Sequence, residues 1–174
     1  KGRKFCLDGG TRAPHRTPPG ELERAEQLRG HKATTVPSTP AVLAWALQHY
    51  GTKSLAESLG PAIRAAEEGY LVSPLQHYLT KRELKHLKAH SGCQLFLKNG
   101  RTTYSIGSIF RQPALANTLR RMADAGVEDF YQGEIAKQIH DDMLANDGLI
   151  RDDDLEQIPW PVERRPLATH FGNH

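Results

Sequence analysis

Residues 113–148, PALANTLRRMADAGVEDFYQGEIAKQIHDDMLANDG, carry the periodicity that decides the fold class. Leu115, Leu119, Met122 and Ala123 recur at the spacing of one helical face, and the stripe stops at Gly126. Pro113 suits the first turn, where its missing N–H would have no partner. Phe130, Ile135, Ala136, Ile139 and Met143 form a second stripe that stops near Asn146-Asp147-Gly148. The stretch predicts two amphipathic helices, each burying one face.

Toward the N-terminus the same signals repeat. Ser38-Thr39-Pro40 supplies an N-cap and a first-turn proline for a helix whose face is Val42, Trp45, Ala46 and His49 and which Gly51 stops. Ser54-Leu55-Ala56-Glu57 has capping-box spacing and predicts a short helix to Gly60, after which Pro61 opens a second through Ile63 and Ala66 to Gly69. Ser73-Pro74 starts a run through Leu75, Tyr78 and Leu79 toward Leu84 and Leu87, with a break and restart at Thr80-x-x-Glu83 and an end near Ser91-Gly92. Between Cys93 and Ile109, the segments Leu95-Phe96-Leu97 and Thr102-Thr103-Tyr104 flank Asn99-Gly100 and predict a small hairpin or an extended loop.

The two ends read differently. Gly9-Gly10, Pro14, Pro18-Pro19-Gly20 and Gly30 make residues 1–37 loop-rich, with one short strand candidate from Lys4 to Leu7. Asp152-Asp153-Asp154-Leu155 reads as an acidic first helical turn, and Pro159, Pro161 and Pro166 force an extended exit. The expected fold is a mainly α-helical segment with a few short strands, divided into a loop-rich stretch 1–37, a helical region 38–158 and an exit 159–174.

Composition narrows the function classes. The 174 residues, 38% hydrophobic and 25% charged, suit one compact unit. Lys plus Arg number 23 against 20 Asp plus Glu, interspersed, so no nucleic-acid partner follows from the charge balance. No stretch approaches the roughly 20 apolar residues of a membrane helix, and Lys1-Gly2-Arg3-Lys4 leads into no signal sequence. Cys6 and Cys93 fit neither a zinc spacing nor a disulfide framework and are expected to be small buried or half-buried side chains.

Several groups of residues suggest chemistry. His86 and His90 stand four apart, a spacing that lets two imidazoles share one ion. A third ligand is missing and Lys81, Arg82, Lys85 and Lys88 surround them, so no metal site is expected and a solvated basic face is. Asp152-Asp153-Asp154 could hold a cation but is accounted for by helix capping and the helix dipole. Gly9-Gly10-Thr11-Arg12 would let backbone approach a ligand while Arg12 grips a carboxylate in bidentate fashion; an ordinary tight turn beside a surface arginine reads the same. No Ser-His-Asp, phosphate-loop or dinucleotide motif occurs, and no cofactor is expected.

Taken in order, a set of blocks resembles the large subunit of gamma-glutamyltranspeptidases. They are Leu7-Asp8-Gly9-Gly10-Thr11-Arg12-Ala13-Pro14, Thr35-Val36-Pro37, Tyr50-Gly51, Pro61-Ala62-Ile63-x-x-Ala66-x-x-Gly69, Gln112 to Leu119, Ala125-Gly126, Phe130-Tyr131-x-Gly133-x-Ile135-Ala136 and Gly148-Leu149-Ile150 leading to Asp153-Asp154-Leu155. The resemblance covers nearly the whole chain and is thinnest between Leu79 and Ile109. It implies part of a four-layer αββα N-terminal nucleophile hydrolase. Such a precursor cleaves itself, and the threonine freed at the start of the small subunit forms an acyl-enzyme with a gamma-glutamyl amide such as glutathione. The implied partners are that substrate and the small subunit of the same precursor, and the implied location is periplasmic or extracellular. The nucleophile and the glycine pair of the oxyanion hole are expected outside this chain, which alone is expected to be inactive.

In the family the Asp-x-Arg-x-x-Ala-Pro block supplies an arginine for the substrate α-carboxylate, and 1–37 is therefore the expected substrate-cleft segment. Here Gly10 stands where that arginine belongs, and Arg12 follows two residues later. In an extended segment this is one side-chain period, about 6 to 7 Å along the chain. Arg12 then either grips a displaced carboxylate or lies outside the site. Ser38 also replaces the glycine that usually follows Val-Pro. Both departures favour a divergent member, with a cephalosporin or glutaryl acylase-like amidohydrolase as the alternative enzyme and a non-catalytic binding or structural homologue as the alternative from another class.

Overall fold

A computed structural model describes residues 4–20, 22–89, 91–158, 160–169 and 172. Among them the chain is mainly helical with four short strands. In order these are β1 (Cys6–Asp8), α1 (Arg24–Leu28), α2 (Thr39–Tyr50), α3 (Leu55–Glu68), β2 (Tyr70–Leu71), α4 (Pro74–Arg82), α5 (Leu84–Ala89), α6 (Gly92–Phe96), β3 (Ile109–Phe110), α7 (Pro113–Ala125), α8 (Glu128–Gln132), α9 (Glu134–Ala145), α10 (Asp152–Glu156) and β4 (Val162–Arg164). A 3₁₀ turn covers His31–Ala33, so the loop-rich entry contains more helix than its glycines and prolines predict.

The core gathers where the opening stretch of sequence places it. Met122, Val127, Tyr131, Ile135, Ala136 and Met143 pack with Val36, Ala41, Ile150 and Leu155 in one buried cluster. Tyr131 is fully buried, and its hydroxyl is satisfied on both sides: it donates to the Pro37 carbonyl at 2.8 Å and accepts from the Ala41 N–H at 3.1 Å. Burial holds the phenol pKa above its ordinary value. This pairing corrects the expected role of Ser38. Ser38 stands at the N-cap position of α2 but has αR dihedrals and makes no capping bond, so Tyr131, distant in sequence, takes a first-turn donor that has no acceptor within the helix.

Local signals hold where both partners lie within one turn. Ser54 accepts from the Glu57 N–H at 3.1 Å while Glu57 accepts from the Ser54 N–H at 2.8 Å, the reciprocal box its spacing predicts. Ser73 accepts from Gln76 N–H at 3.1 Å, with Pro74 at the start of α4. The break comes at Glu83, but Thr80 does not cap the restart; its hydroxyl donates back to the Gln76 carbonyl at 2.8 Å.

Three boundaries differ from expectation. Pro61 does not divide the 54–69 region: α3 runs through it, because Gly60 lacks the Cβ that a following proline ring would strike. The second stripe is divided at Gly133 into α8 and α9, since the Asp129 carboxylate folds back over that glycine to meet the N–H groups of Glu134 and Ile135 at 3.3 and 3.4 Å. A Cβ at Gly133 would lie 2.2 Å from Asp129 Oδ1. Leu95-Phe96 is helical rather than extended, and the expected hairpin shrinks to a single Lys98–Thr102 bridge around Asn99 and Gly100, both at positive φ. The aromatic side chains explain this choice: Phe96 stacks on the buried Phe110 at 6.4 Å, and Tyr104 meets it edge-on at 5.2 Å.

The two ends of the described chain meet. β1 and β4 pair antiparallel with Cys6 opposite Arg164 and Asp8 opposite Val162. The strand lies at Cys6–Asp8, shifted from the expected Lys4 to Leu7. Phe5 stacks on Tyr50 at 4.5 Å and seats this ladder on the end of α2. A two-stranded ladder leaves one face open, which is why Cys6 is exposed rather than buried or half-buried; Cys93 is half-buried as expected.

Candidate functional site

Residues 8–17 leave β1, cross the start of α2 and turn beside α10. Gly9 makes this crossing possible, because a Cβ there would lie 2.0 Å from Val42 Cγ2 on α2. Gly10 is different: it is exposed, and a Cβ would meet only Asp8 Oδ1 at 3.7 Å. Packing demands glycine at position 9 and leaves position 10 open to a side chain. Asp8 is held from the opposite strand by Arg164, whose Nε donates to Oδ2 at 2.6 Å and, as the largest influence, keeps the Asp8 carboxyl below its ordinary pKa.

Arg12 lies next along the crossing. Its carbonyl accepts from the Val36 N–H at 2.9 Å, and Thr11 Oγ1 donates to the Val36 carbonyl at 2.6 Å, so the backbone is pinned to the segment before α2. The Arg12 guanidinium donates to the Gln157 carbonyl at the end of α10. One edge of the fork is thereby anchored to protein, and the sequence offers no way to see this.

Beyond Arg12 the chain makes a turn, with Thr17 N–H donating to the Pro14 carbonyl at 3.0 Å. At its tip the His15 N–H donates to Asp154 Oδ1 at 2.7 Å, His15 Nδ1 lies 3.2 Å from the same oxygen, and Arg16 donates to Asp153 Oδ1 at 2.7 Å. The Arg16 bond is the largest influence lowering the Asp153 pKa and, reciprocally, raising that of Arg16. The acidic triplet does open a helix, as expected, but two of its carboxylates also hold a turn far away in sequence. His15, Asp153 and Asp154 present ligand atoms within 4.8 Å of one another, yet the Arg16 guanidinium, 2.7 and 3.8 Å from those carboxylates, supplies the positive charge there. The arrangement is that of an ion-pair cluster.

Beside the crossing lies an open groove of 560 Å³, lined by Leu7, Asp8, Gly9, Arg164, Arg165 and Pro166 among others. It gathers Arg164 and Arg165 beside Asp8 and Gly9, and the pairing of β1 with β4 brings them there. Sequence reasoning missed both arginines. A second groove, 470 Å³, contains His86, but its neighbours are spoken for: Arg29 pairs with Glu83 at 3.0 Å and His31 with Asp142 at 3.1 Å. Of the His86 and His90 pair weighed as a metal site and set aside, His90 lies outside the described residues. Among the described residues no helix is long and apolar enough to cross a membrane.

Residues 3–174 match the Gamma-glutamyltranspeptidase family. The chain is 33% identical over 157 residues to the glutathione hydrolase proenzyme of Escherichia coli K12, covering 89% of this chain and 27% of that protein. It is 35% identical over 151 residues to the acylase ACY 1 proenzyme of Pseudomonas sp. V22, covering 86% and 26%. Among solved structures it superposes on Helicobacter pylori gamma-glutamyltranspeptidase with a TM-score of 0.93 at 31% identity, covering 99% of this chain and 52% of that one. Cephalosporin acylase from Bacillus halodurans gives 0.85 at 32% identity, covering 98% and 34%. The chain thus spans about a quarter of the length of these curated relatives.

Proposed function

Because the chain belongs to the gamma-glutamyltranspeptidase family, we propose that it is large-subunit sequence of an enzyme that transfers or hydrolyses gamma-glutamyl groups, and that its 8–17 crossing forms part of the substrate cleft. In the complete enzyme the helical layer packs on the sheets of an αββα sandwich. An N-terminal threonine from a segment outside these residues attacks the amide carbonyl through its Oγ, and its own α-amine takes the hydroxyl proton. The C–N bond breaks as that proton passes to the leaving amine, and water or an amino acid then accepts the acyl group. A glycine pair, also outside these residues, stabilises the oxyanion.

This chain contributes a cationic rim to that cleft. Arg12 is our candidate for the substrate carboxylate, displaced from the open position 10. Its anchor on the Gln157 carbonyl uses one edge of the guanidinium and leaves donors for a carboxylate on another. The observation that carries the reading is the family match along residues 3–174, with the glutathione hydrolase and gamma-glutamyltranspeptidase relatives named above.

One observation favours a second reading. Gly10 removes the expected arginine where nothing in the packing requires glycine, and acylases are among the relatives of equal similarity. A glutaryl group keeps the terminal carboxylate of a gamma-glutamyl group and lacks only its α-amino group, so the α-amino end is what separates the two substrates. Assay of the full-length precursor on a gamma-glutamyl anilide and on a glutaryl amide separates the two. Faster turnover of the anilide, with KM raised about tenfold or more by Arg12→Ala, supports the first reading. An unchanged KM removes Arg12 from the site, and preference for the glutaryl amide transfers the chain to the acylases. A precursor that neither cleaves itself nor turns over either substrate is a non-catalytic homologue.

A further inference from the structure

We propose that Asp154 is the positioning residue of the cleft crossing: its buried carboxylate fixes the Pro14–Thr17 turn and thereby the aim of Arg12. The inference rests on the reading of residues 8–17 as substrate cleft. Helix α10 has five residues and three consecutive aspartates. Asp152 is exposed and Asp153 half-buried, and both already place negative charge at its first turn. Capping accounts for one oxygen of the third carboxylate, 1% exposed, and leaves the other to be explained, since burying a charge is costly unless every oxygen is occupied.

The contacts show what occupies it. Oδ2 accepts from the N–H of Arg151, the N-cap residue of its own helix, at 2.9 Å. Oδ1 faces away and accepts from the His15 N–H at 2.7 Å, with His15 Nδ1 at 3.2 Å. Arg16 stands 3.8 Å from Oδ2 while it grips Asp153. The other end of α10 receives Arg12 through the Gln157 carbonyl. The crossing thus lies along α10 and is gripped at both ends, Arg12 at one and His15 with Arg16 at the other. With the turn held, the Arg12 side chain has one direction in which to present its remaining donors.

Asparagine at 154 keeps one acceptor oxygen and cannot serve both N–H groups, so Asp154→Asn releases the turn while altering volume little. In the full-length precursor, assayed on a gamma-glutamyl anilide, the variant should raise KM about tenfold with kcat held within about twofold. Combined with Arg12→Ala it should add nothing to the Arg12→Ala effect, because both act through one guanidinium. Amide exchange at His15 and Arg16 should accelerate while α9 keeps its protection. Additive effects, a fall in kcat alone, or unchanged exchange at His15 would overturn the proposal. If Arg12→Ala leaves KM unchanged, the carboxylate role of Arg12 fails, and exchange at His15 still decides whether Asp154 holds the turn. Should Asp154→Asn fail to mature, His15→Pro deletes the donor and leaves the carboxylate in place; the same pattern is expected, and unchanged KM there overturns the proposal.

Discussion

The body around Tyr131 and the rim along residues 8–17 are built from opposite materials. The body buries Met122, Val127, Tyr131, Ile135 and Ile150, and the phenol hydroxyl it takes in is satisfied on both sides. The rim is half exposed and is held by arginine-to-carboxylate and backbone bonds: Arg164 to Asp8, Arg16 to Asp153, His15 to Asp154. Apolar burial scales with area and is indifferent to pH, whereas exposed ion pairs are weak, screened by salt and titratable. The body supplies the stability and the rim supplies geometry.

Four substitutions test that division. Tyr131→Ala should have the largest effect, about 3–5 kcal/mol by urea unfolding, since it opens a cavity and strands the Ala41 N–H. A loss below that of the rim variants would break the contrast. Gly9→Ala comes next, at about 1–3 kcal/mol, because Val42 is stiff at χ1 and cannot swing away from the new Cβ.

Asp129→Asn tests a charged group within the body, where it joins α7, α8 and α9. Its carboxyl is held below the ordinary value of 3.8, first by the bidentate Arg121 and then, against burial, by the Glu134 and Ile135 N–H groups. A depressed carboxylate contributes stability that is present above its ordinary pKa and lost as pH falls through the lowered folded value. The wild type should therefore lose Tm below about pH 4, and Asp129→Asn should start lower and show a flatter acid limb. An acid limb of unchanged slope would mean that other carboxylates carry it. Arg164→Ala should do least to Tm, and the small shift should vanish in high salt, because both partners are exposed. A shift that survives salt would show that the ladder, and not the charge pair, was disturbed.

Legibility in the sequence followed the reach of each interaction. The helices themselves, the face of α9 and the Ser54 and Ser73 caps were readable because their signals lie within a turn or two, and the fold class follows from them. By contrast, α2 meets the core through Ala41 and Ala44 rather than the expected Val42, Trp45, Ala46 and His49, and α7 buries Ala116 in place of Leu115. Pro61 misled because the rule for proline depends on the residue before it, here a glycine. Leu95-Phe96 misled because the winning contact, Phe110, lies outside any local window. Gly10 and Arg12 were visible as a departure from the family pattern, while the Gln157, Asp153 and Asp154 partners of this crossing were not, since they lie on α10 at the far end of the chain.

By itself the sequence determined the helical class, the order of the blocks and the family, because periodicity and motif order are properties of neighbouring residues. Tertiary structure alone decided that position 9 must be glycine and position 10 need not be, that Tyr131 and not Ser38 serves the start of α2, and that an acidic helix turn grips the crossing that carries Arg12. Each of these depends on two segments meeting at hydrogen-bond or van der Waals distance, and such meetings are fixed by packing of the whole chain rather than by any stretch of it.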